Sequence, residues 1–416
     1  MGSVVFMKSS NKILWTIFLT IFIDMFGIGI LIPIFPLLII PHSIFKVTPD
    51  SWTTAQGFIM AGWLMSAFPL AQFLCTPILG QLADRYGRKK VLAFSIGGTA
   101  ISYALFALGI YTKSIPLLFF ARILDGISGG NISVAQAVIG DVSHAKNRAK
   151  NFGLVGVSIG IGFILGPFIG GKLSDPAVIS WFDAATPFWF AAFLSIINVV
   201  LVLTILPETL QEKSTKEIDM IRPIHNMLKI LKHKQLLIVI LSNFLFNAGF
   251  TFFTTFWGIT LAYQFNFTQS GIGDFYGYIG IMIVLAQGGV VRHISGKVLD
   301  YKVLNYSIIL TGVCLLGFYF ISKPHVTWIY YITPLLAIFM ALSRAFNMAL
   351  LSRVSTNSNR GEIMGINSSA TALAQAIPGV LAGYIATHHI TLTILVGAFT
   401  TICGGLLFRF FYKDEV

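Results

Sequence analysis

Twelve long apolar runs, parted by short polar ones, set the pattern of this chain. A helix needs about 20 such residues to cross a hydrocarbon core roughly 30 Å thick. The runs fall at about 12–40, 53–79, 91–111, 116–142, 149–172 and 184–206, then 236–263, 269–292, 303–322, 327–352, 362–386 and 390–412. They predict an all-α membrane protein of twelve transmembrane helices. The longest polar segment, Pro207–Gln235, mixes Lys, Glu and His and reads as an amphipathic linker. It separates an N-terminal six-helix bundle over 1–206 from a C-terminal one over 236–416.

Charge placement orients these spans. Short loops rich in Lys and Arg stay on the cytoplasmic side. With the amino terminus inside, 22 of the 28 basic residues fall in cytoplasmic segments, and only Lys46, Lys113, Lys172 and Lys323 fall outside. Arg122 and Arg344 lie within spans. The split predicts six plus six spans with both termini cytoplasmic. The net charge of +12 therefore records orientation and does not call for nucleic acid.

Composition agrees. Charged residues make up 11% of the chain and hydrophobic ones 56%, against about 25% charged in soluble domains. The 37 Phe and 39 Gly suit lipid-facing and closely packed helices. Cys75, Cys314 and Cys403 lie in three different apolar runs, with no ligand spacing, so neither a disulfide framework nor a metal site is expected. Ile13–Ile40 is too long for a cleavable signal peptide and is interrupted by Asp24 and prolines. No His, Ser or Cys constellation faces a span centre and no phosphate loop stands out, which argues against an enzyme. No cofactor is implied, protons being the expected coupling ion.

The two halves repeat. Asn147-Arg148 with Gly153 returns 212 residues later as Asn359-Arg360 with Gly365, and Gly171 and Gly383 keep that offset. Gly296–Asp300 echoes the basic stretch Gly80–Lys90, Asp300 standing for Asp84. Such repeats fit two pseudo-symmetric bundles related by an axis along the membrane normal, with a site between them.

Asp24 is the sharpest single residue. It stands in mid-span, where a charge costs at least ~2.5–3.5 kcal/mol on insertion scales, and intramembrane acids are a functional-site hypothesis by default. Its bland alternative is a helix-packing Asp hydrogen-bonded to a neighbour. Arg122 and Asp125, three residues apart, share a face of the fourth helix. By helix rise Arg122 lies ~9 Å inside the outer boundary and Asp125 ~5 Å deeper, near Asp24's depth. Asp125 is a second proton carrier or Arg122's counter-ion. Arg344, in the tenth span, sits ~13 Å from its end, too far for easy snorkelling. It contacts substrate or takes part in structural pairing. Asn243, Asn247 and Asn347 add polar groups to the seventh and tenth spans, and Trp257, Phe256 and Phe253 offer aromatic surface. Asp274 lies near the wetted outer end of its helix.

Five stretches carry a family resemblance. GQLADRYGRKK at Gly80–Lys90 resembles the loop motif of the major facilitator superfamily. DMFGIGILIPIFP at Asp24–Pro36 is similar to the first helix of tetracycline-type exporters. RILDG at Arg122–Gly126 resembles the family's fourth-helix motif, GVSIGIGFILGPFIGG at Gly156–Gly171 its antiporter motif, and LPETL at Leu206–Leu210 the end of its sixth helix. Together they resemble the drug–proton antiporter branch.

The resemblance implies a transporter that exports small amphipathic organic molecules in exchange for protons by alternating access. An alternative cargo is a carboxylated metabolite or siderophore, exported or taken up. The resemblance makes Arg122 a proton-coupling residue beside Asp24 and places Arg344 beside a central cavity, with Asn243, Asn247, Asn347 and Trp257 as further lining. Gly80, Asp84, Arg88 and Asp141 form a conformational latch, with Asp84 against the start of the eleventh helix near Gly361–Glu362 and Arg88 paired with Asp141. Gly156, Gly160, Gly166, Pro167, Gly170 and Gly171 form a helix-packing motif against the eighth helix. The partners implied are a lipid bilayer and a small-molecule substrate, the state a monomer, and the place a bacterial inner membrane.

Overall fold

The computed structural model describes residues 2–40, 43–143, 148–210, 212–214, 234–354 and 360–413. Among these the regular elements are all helical, and twelve helices are long and apolar enough to cross a membrane. In chain order they are α1 (Lys12–Leu38), α2 (Thr54–Tyr86), α3 (Arg88–Tyr111), α4 (Ile115–Val142), α5 (Leu154–Leu173) and α6 (Thr186–Ile205). Then come α7 (Lys234–Phe265), α8 (Gln269–Ile294), α9 (Asp300–Tyr319), α10 (Trp328–Leu351), α11 (Ile363–Ala386) and α12 (Leu392–Phe411). Most of Pro207–Gln235 lies outside the described residues.

The chain divides into two compact units. The first comprises Met1–Pro49, Leu70–Met220 and Thr268–Gly277; the second comprises Asp50–Pro69, Ile221–Phe267 and Tyr278–Val416. In the first unit α1 packs on α5 and α6, and α3 on α4 and α6. The second repeats that scheme: α7 packs on α11 and α12, and α9 on α10 and α12. The recurrence is the structural form of the repeat seen in the sequence. Ile17, Ile21, Leu92, Val138 and Val202 centre one apolar core, and Phe246, Leu304, Leu350 and Phe408 the other.

Small residues set the closest approaches. In the first unit, the backbone of Gly171 on α5 meets that of Gly273 in the Thr268–Gly277 segment, where an added Cβ would come within 3.0 Å of the Gly273 Cα. In the second, Gly62 lies against Gly379 and Gly383 of α11 with the same closeness. Trp63 Nε1 donates to Tyr384 Oη at 3.3 Å beside it. A methyl group at Gly171, Gly273, Gly62 or Gly383 would press on backbone, which cannot yield as a side chain can, whereas at Gly379 it would meet the Ser66 hydroxyl.

Gly80–Lys90 is not the loop that its charges suggest. α2 runs on through Tyr86 and α3 starts at Arg88, leaving Gly87 alone between them. Gly87 holds φ at 109°, a conformation open to glycine and costly for other residues. The turn between α8 and α9 in the second unit also holds a glycine at positive φ, Gly296 at 78°. The basic residues thus belong to helix ends, where backbone bonding continues almost unbroken.

Candidate functional site

The polar centre of the first unit grows from a break in α4. Ser114 caps its start, accepting from Leu117 N, and Pro116 fits the first turn, where its missing N–H costs nothing. The helix then runs to Ser128, stops at Gly129–Gly130 and resumes at Asn131. A broken helix inside an apolar protein frees carbonyls that need donors. Ser95 of α3 donates to Ser128 O, and Gln72 of α2 donates to Gly129 O at 2.8 Å. The break is therefore satisfied by side chains and sits close to Leu79 and Thr76 through Gly130.

This break presents Arg122, Asp125 and Asn131 to α1 and α3. Asp24 is 7% exposed, Arg122 7%, Asp125 4% and Asn131 0%. All four are buried, and each lies beside at least one of the others. Arg122 Nη1 donates to Asp125 Oδ2 at 3.2 Å across one turn of α4. Asp24 lies within electrostatic reach of Asp125 and beside the side chain of Asn131. Ser102 of α3 adjoins the Asp125 carboxylate.

Tyr103 completes the cluster. Its buried phenol lies directly over Gly27, one turn beyond Asp24, and within reach of Asp24, Asp125 and Arg122. Neither Tyr103 nor Asn131 stood out in the sequence. A lone tyrosine in an apolar run carries no spacing signal. Asn131 did carry one: it follows a Gly-Gly pair inside a span, which marks a break with freed backbone.

A second polar array lies in the second unit. Asn243, Asn247 and Phe250 recur on one stripe of α7 at helical spacing. Asn247 Nδ2 donates to the Asn243 side chain at 2.9 Å, and Asn243 Nδ2 passes the chain to Asn367 Oδ1 of α11 at 2.8 Å. Arg344 of α10 holds its guanidinium 5.5 Å above the Phe250 ring. Its side chain is exposed, and among the described residues it makes no ion pair. Asn347 is buried one turn further along α10.

Trp257 does not line an accessible surface. It is 0% exposed, stacked on Phe253 at 5.1 Å and edge-on to Phe318 at 5.1 Å. Full burial among the rings of α7 and α9 places Trp257 in the apolar core.

The helix-packing motif also differs from expectation. Gly162, Gly166 and Gly170 pack on α1, against Phe22, Phe26, Gly29 and Ile30, and Pro167 sits on Gly29. Only Gly171, with Pro167 O and Phe168, reaches the start of α8 at Gly273 and Gly277. Gly156 and Gly160 face open space. The reason is angular: two glycine series offset by two residues point about 200° apart on a helix. One helix face cannot serve both.

At the α2–α3 turn, Arg88 is bonded to Asp84 at 2.6 Å and to Asp141 of α4 at 3.3 Å. Thr209 donates to the same Asp141 oxygen at 3.1 Å. Glu208, within the LPETL stretch, accepts from the backbone amides of Arg88 and Lys89 at 2.9 and 3.3 Å. It caps α3, where a carboxylate meets both free donors and the positive end of the helix. An added Cβ at Gly87 would strike it. Gly80 meets nothing closely, and the expected partner side chains at Gly361–Glu362 lie outside the described residues. Lys172 pairs with Asp274 at 2.9 Å and donates to Ser270 at 2.6 Å, which gives the exposed Asp274 carboxylate a partner. The described residues hold no group of His, Cys, Asp and Glu fit for a metal.

The chain is 28% identical over 386 residues to the class H tetracycline resistance protein of Pasteurella multocida, covering 91% of this chain and 90% of that one. It is 28% identical over 408 residues to multidrug resistance protein 2 of Bacillus subtilis, covering 96% of each. The solved human organic anion transporter MFSD10 (TETRAN) has the same fold, with a TM-score of 0.72 at 21% identity over 96% of this chain and 99% of that one. The family model described as Major Facilitator Superfamily matches residues 17–338 and 300–416. This multi-pass membrane transporter, and not an enzyme, belongs to the Major Facilitator Superfamily.

Proposed function

We propose that the chain exports small amphipathic organic compounds in exchange for protons, by alternating access. The observation that carries this reading is the buried cluster of Asp24, Tyr103, Arg122, Asp125 and Asn131 in the first unit. It contains two carboxylates and one guanidinium. A buried site resists net charge, since each uncompensated ion there loses its hydration. Neutrality then requires one proton on the pair of acids. With Arg122 engaged by Asp125, Asp24 is the acid left to carry it.

Loss of that proton leaves two negative charges against one positive. Arg122 can then no longer balance both, and the cluster favours a different arrangement of its helices. A conformational change follows only where the two states bind the proton differently. The names of the tetracycline and multidrug resistance relatives support export of drug-like organic molecules. Their identity of 28% leaves the cargo to this chain's own residues. The charge split of the loops supports cytoplasmic termini, the bacterial relatives support a bacterial inner membrane, and the working unit is a monomer. Arg88, Asp84 and Asp141, joined at the α2–α3 turn, serve as a latch that parts during the cycle.

One observation favours the second reading, a carboxylated cargo. Arg344 is an exposed arginine within a span and lacks an ion pair among the described residues. Proteoliposomes loaded with candidate cargo and given an imposed pH gradient test the coupling. Gradient-driven efflux should be lost in Asp24→Asn. Efflux that survives collapse of the gradient overturns proton coupling.

A further inference from the structure

We infer that the second unit carries an organic-anion site in which Arg344 holds a carboxylate and Phe250 supports an apolar, preferably aromatic, body. The inference deepens the transport reading and rests on it for what is carried.

The position of Arg344 is the first ground. It lies nine residues beyond Leu335, an exposed apolar residue of α10. Nine residues make two and a half helical turns, so the two side chains leave opposite faces. Arg344 thus faces away from the exposed apolar side that includes Tyr331 and Leu335, yet it is itself exposed. An arginine on that face of a membrane helix needs water or an anion as its partner.

Chemistry supplies the second ground. Guanidinium presents parallel N–H donors in a plane, a match for the two oxygens of a carboxylate. The aromatic face of Phe250, 5.5 Å beneath, restricts where the guanidinium can swing and leaves its outer donors open. The same ring continues as an apolar platform, half-buried and next to Thr251 and Thr254. No described carboxylate competes for Arg344, in contrast to Arg122, which Asp125 already occupies.

The third ground is the amide chain. Asn247, one turn before Phe250, donates backward to both the backbone and the side-chain carbonyl of Asn243, which in turn donates to Asn367. The donors of Asn247 are thereby committed, and its side-chain carbonyl stays half-buried at the end of the chain beside the platform. It can accept from an N–H or O–H on the cargo but cannot supply a rival anion contact. The stripe therefore reads as one charge-bearing end, one flat apolar floor and one acceptor. This favours aromatic carboxylates that bear a hydroxyl or amide over simple cations.

The test is made on binding, which does not depend on proton coupling. The probes are 3-hydroxy-2-naphthoate and its neutral analogue 3-hydroxy-2-naphthamide, titrated into the full chain in nanodiscs and followed by quenching of tryptophan. Wild type should bind the carboxylate about tenfold or more tightly than the amide, the usual scale for a charge-assisted hydrogen bond. Arg344→Gln should erase the preference, and Arg344→Lys, which keeps charge without the fork, should retain only part of it. Phe250→Leu should weaken both probes together. Equal affinity of the two probes for wild type, absence of saturable binding of either, or a full preference kept by Arg344→Lys and Arg344→Gln alike overturns the site. Should Arg344→Gln fail to fold, the Arg344→Lys and Phe250→Leu results decide. A wild type that separates the probes yet shows no gradient-driven transport supports this site and counts against proton coupling.

Discussion

At the scale of the residue, Asp24, Arg122, Asp125 and Tyr103 work as a group whose parts cannot be judged alone. Asp24, Arg122 and Asp125 were legible because charge within an apolar run is costly and therefore conspicuous. Their grouping was partly legible through helix spacing. Tyr103 was not, since its importance comes from packing over Gly27, a tertiary fact. Two tests follow. Tyr103→Phe removes only a hydroxyl near both acids, so the protein should fold while the pH at half-maximal transport shifts; an unchanged pH profile would show that the phenol only fills space. Gly27→Ala places a methyl group in the Tyr103 ring, and such overpacking should lower stability by about 1–3 kcal/mol, seen as an earlier thermal transition in detergent.

Helices hold these residues in place through two devices, close glycine contact and satisfied ends. The sequence located the glycines of α5 but gave them one partner, α8, which only Gly171 and Pro167 meet. Gly166 and Gly170 meet α1 instead, and angular phase around a helix does not reveal which neighbour lies there. Gly166 faces Gly29 of α1, and Gly156 faces open space. Gly166→Ala should therefore destabilise by about 1–3 kcal/mol. Gly156→Ala should be neutral or stabilise by up to about 1 kcal/mol, the helix preference of alanine over glycine. Equal effects in a thermal-shift comparison would contradict the assignment of α5 to α1. Glu208 shows the opposite gap. The LPETL motif was visible, but its cap on α3 depends on a turn that brings two distant segments together. Glu208→Ala should cost about 0.5–2 kcal/mol, whereas Glu208→Gln should recover part of it through its amide oxygen.

For the whole molecule, the twelve helices and the twofold repeat of a six-helix bundle were plain from hydropathy and internal repeat, because a bilayer leaves so few ways to fold an apolar chain. Hydropathy could not show that Asp50–Pro69 and Thr268–Gly277 each join the unit of the other sequence half. Those segments are secured by glycine contacts and, at Thr268–Gly277, by the Lys172–Asp274 pair. Charge reversal at Lys172→Asp should impair transport, and a second change, Asp274→Lys, should restore it in part; failure of restoration would mean that the pair plays no role in the cycle.

In the proposed cycle the Asp24 cluster couples proton movement to cargo movement. The most direct measurement records lumenal pH in proteoliposomes while cargo is added without any imposed gradient. Wild type should move protons opposite to cargo, and Asp24→Asn should move none while still exchanging labelled cargo for unlabelled. Proton movement of undiminished size in Asp24→Asn would contradict the account.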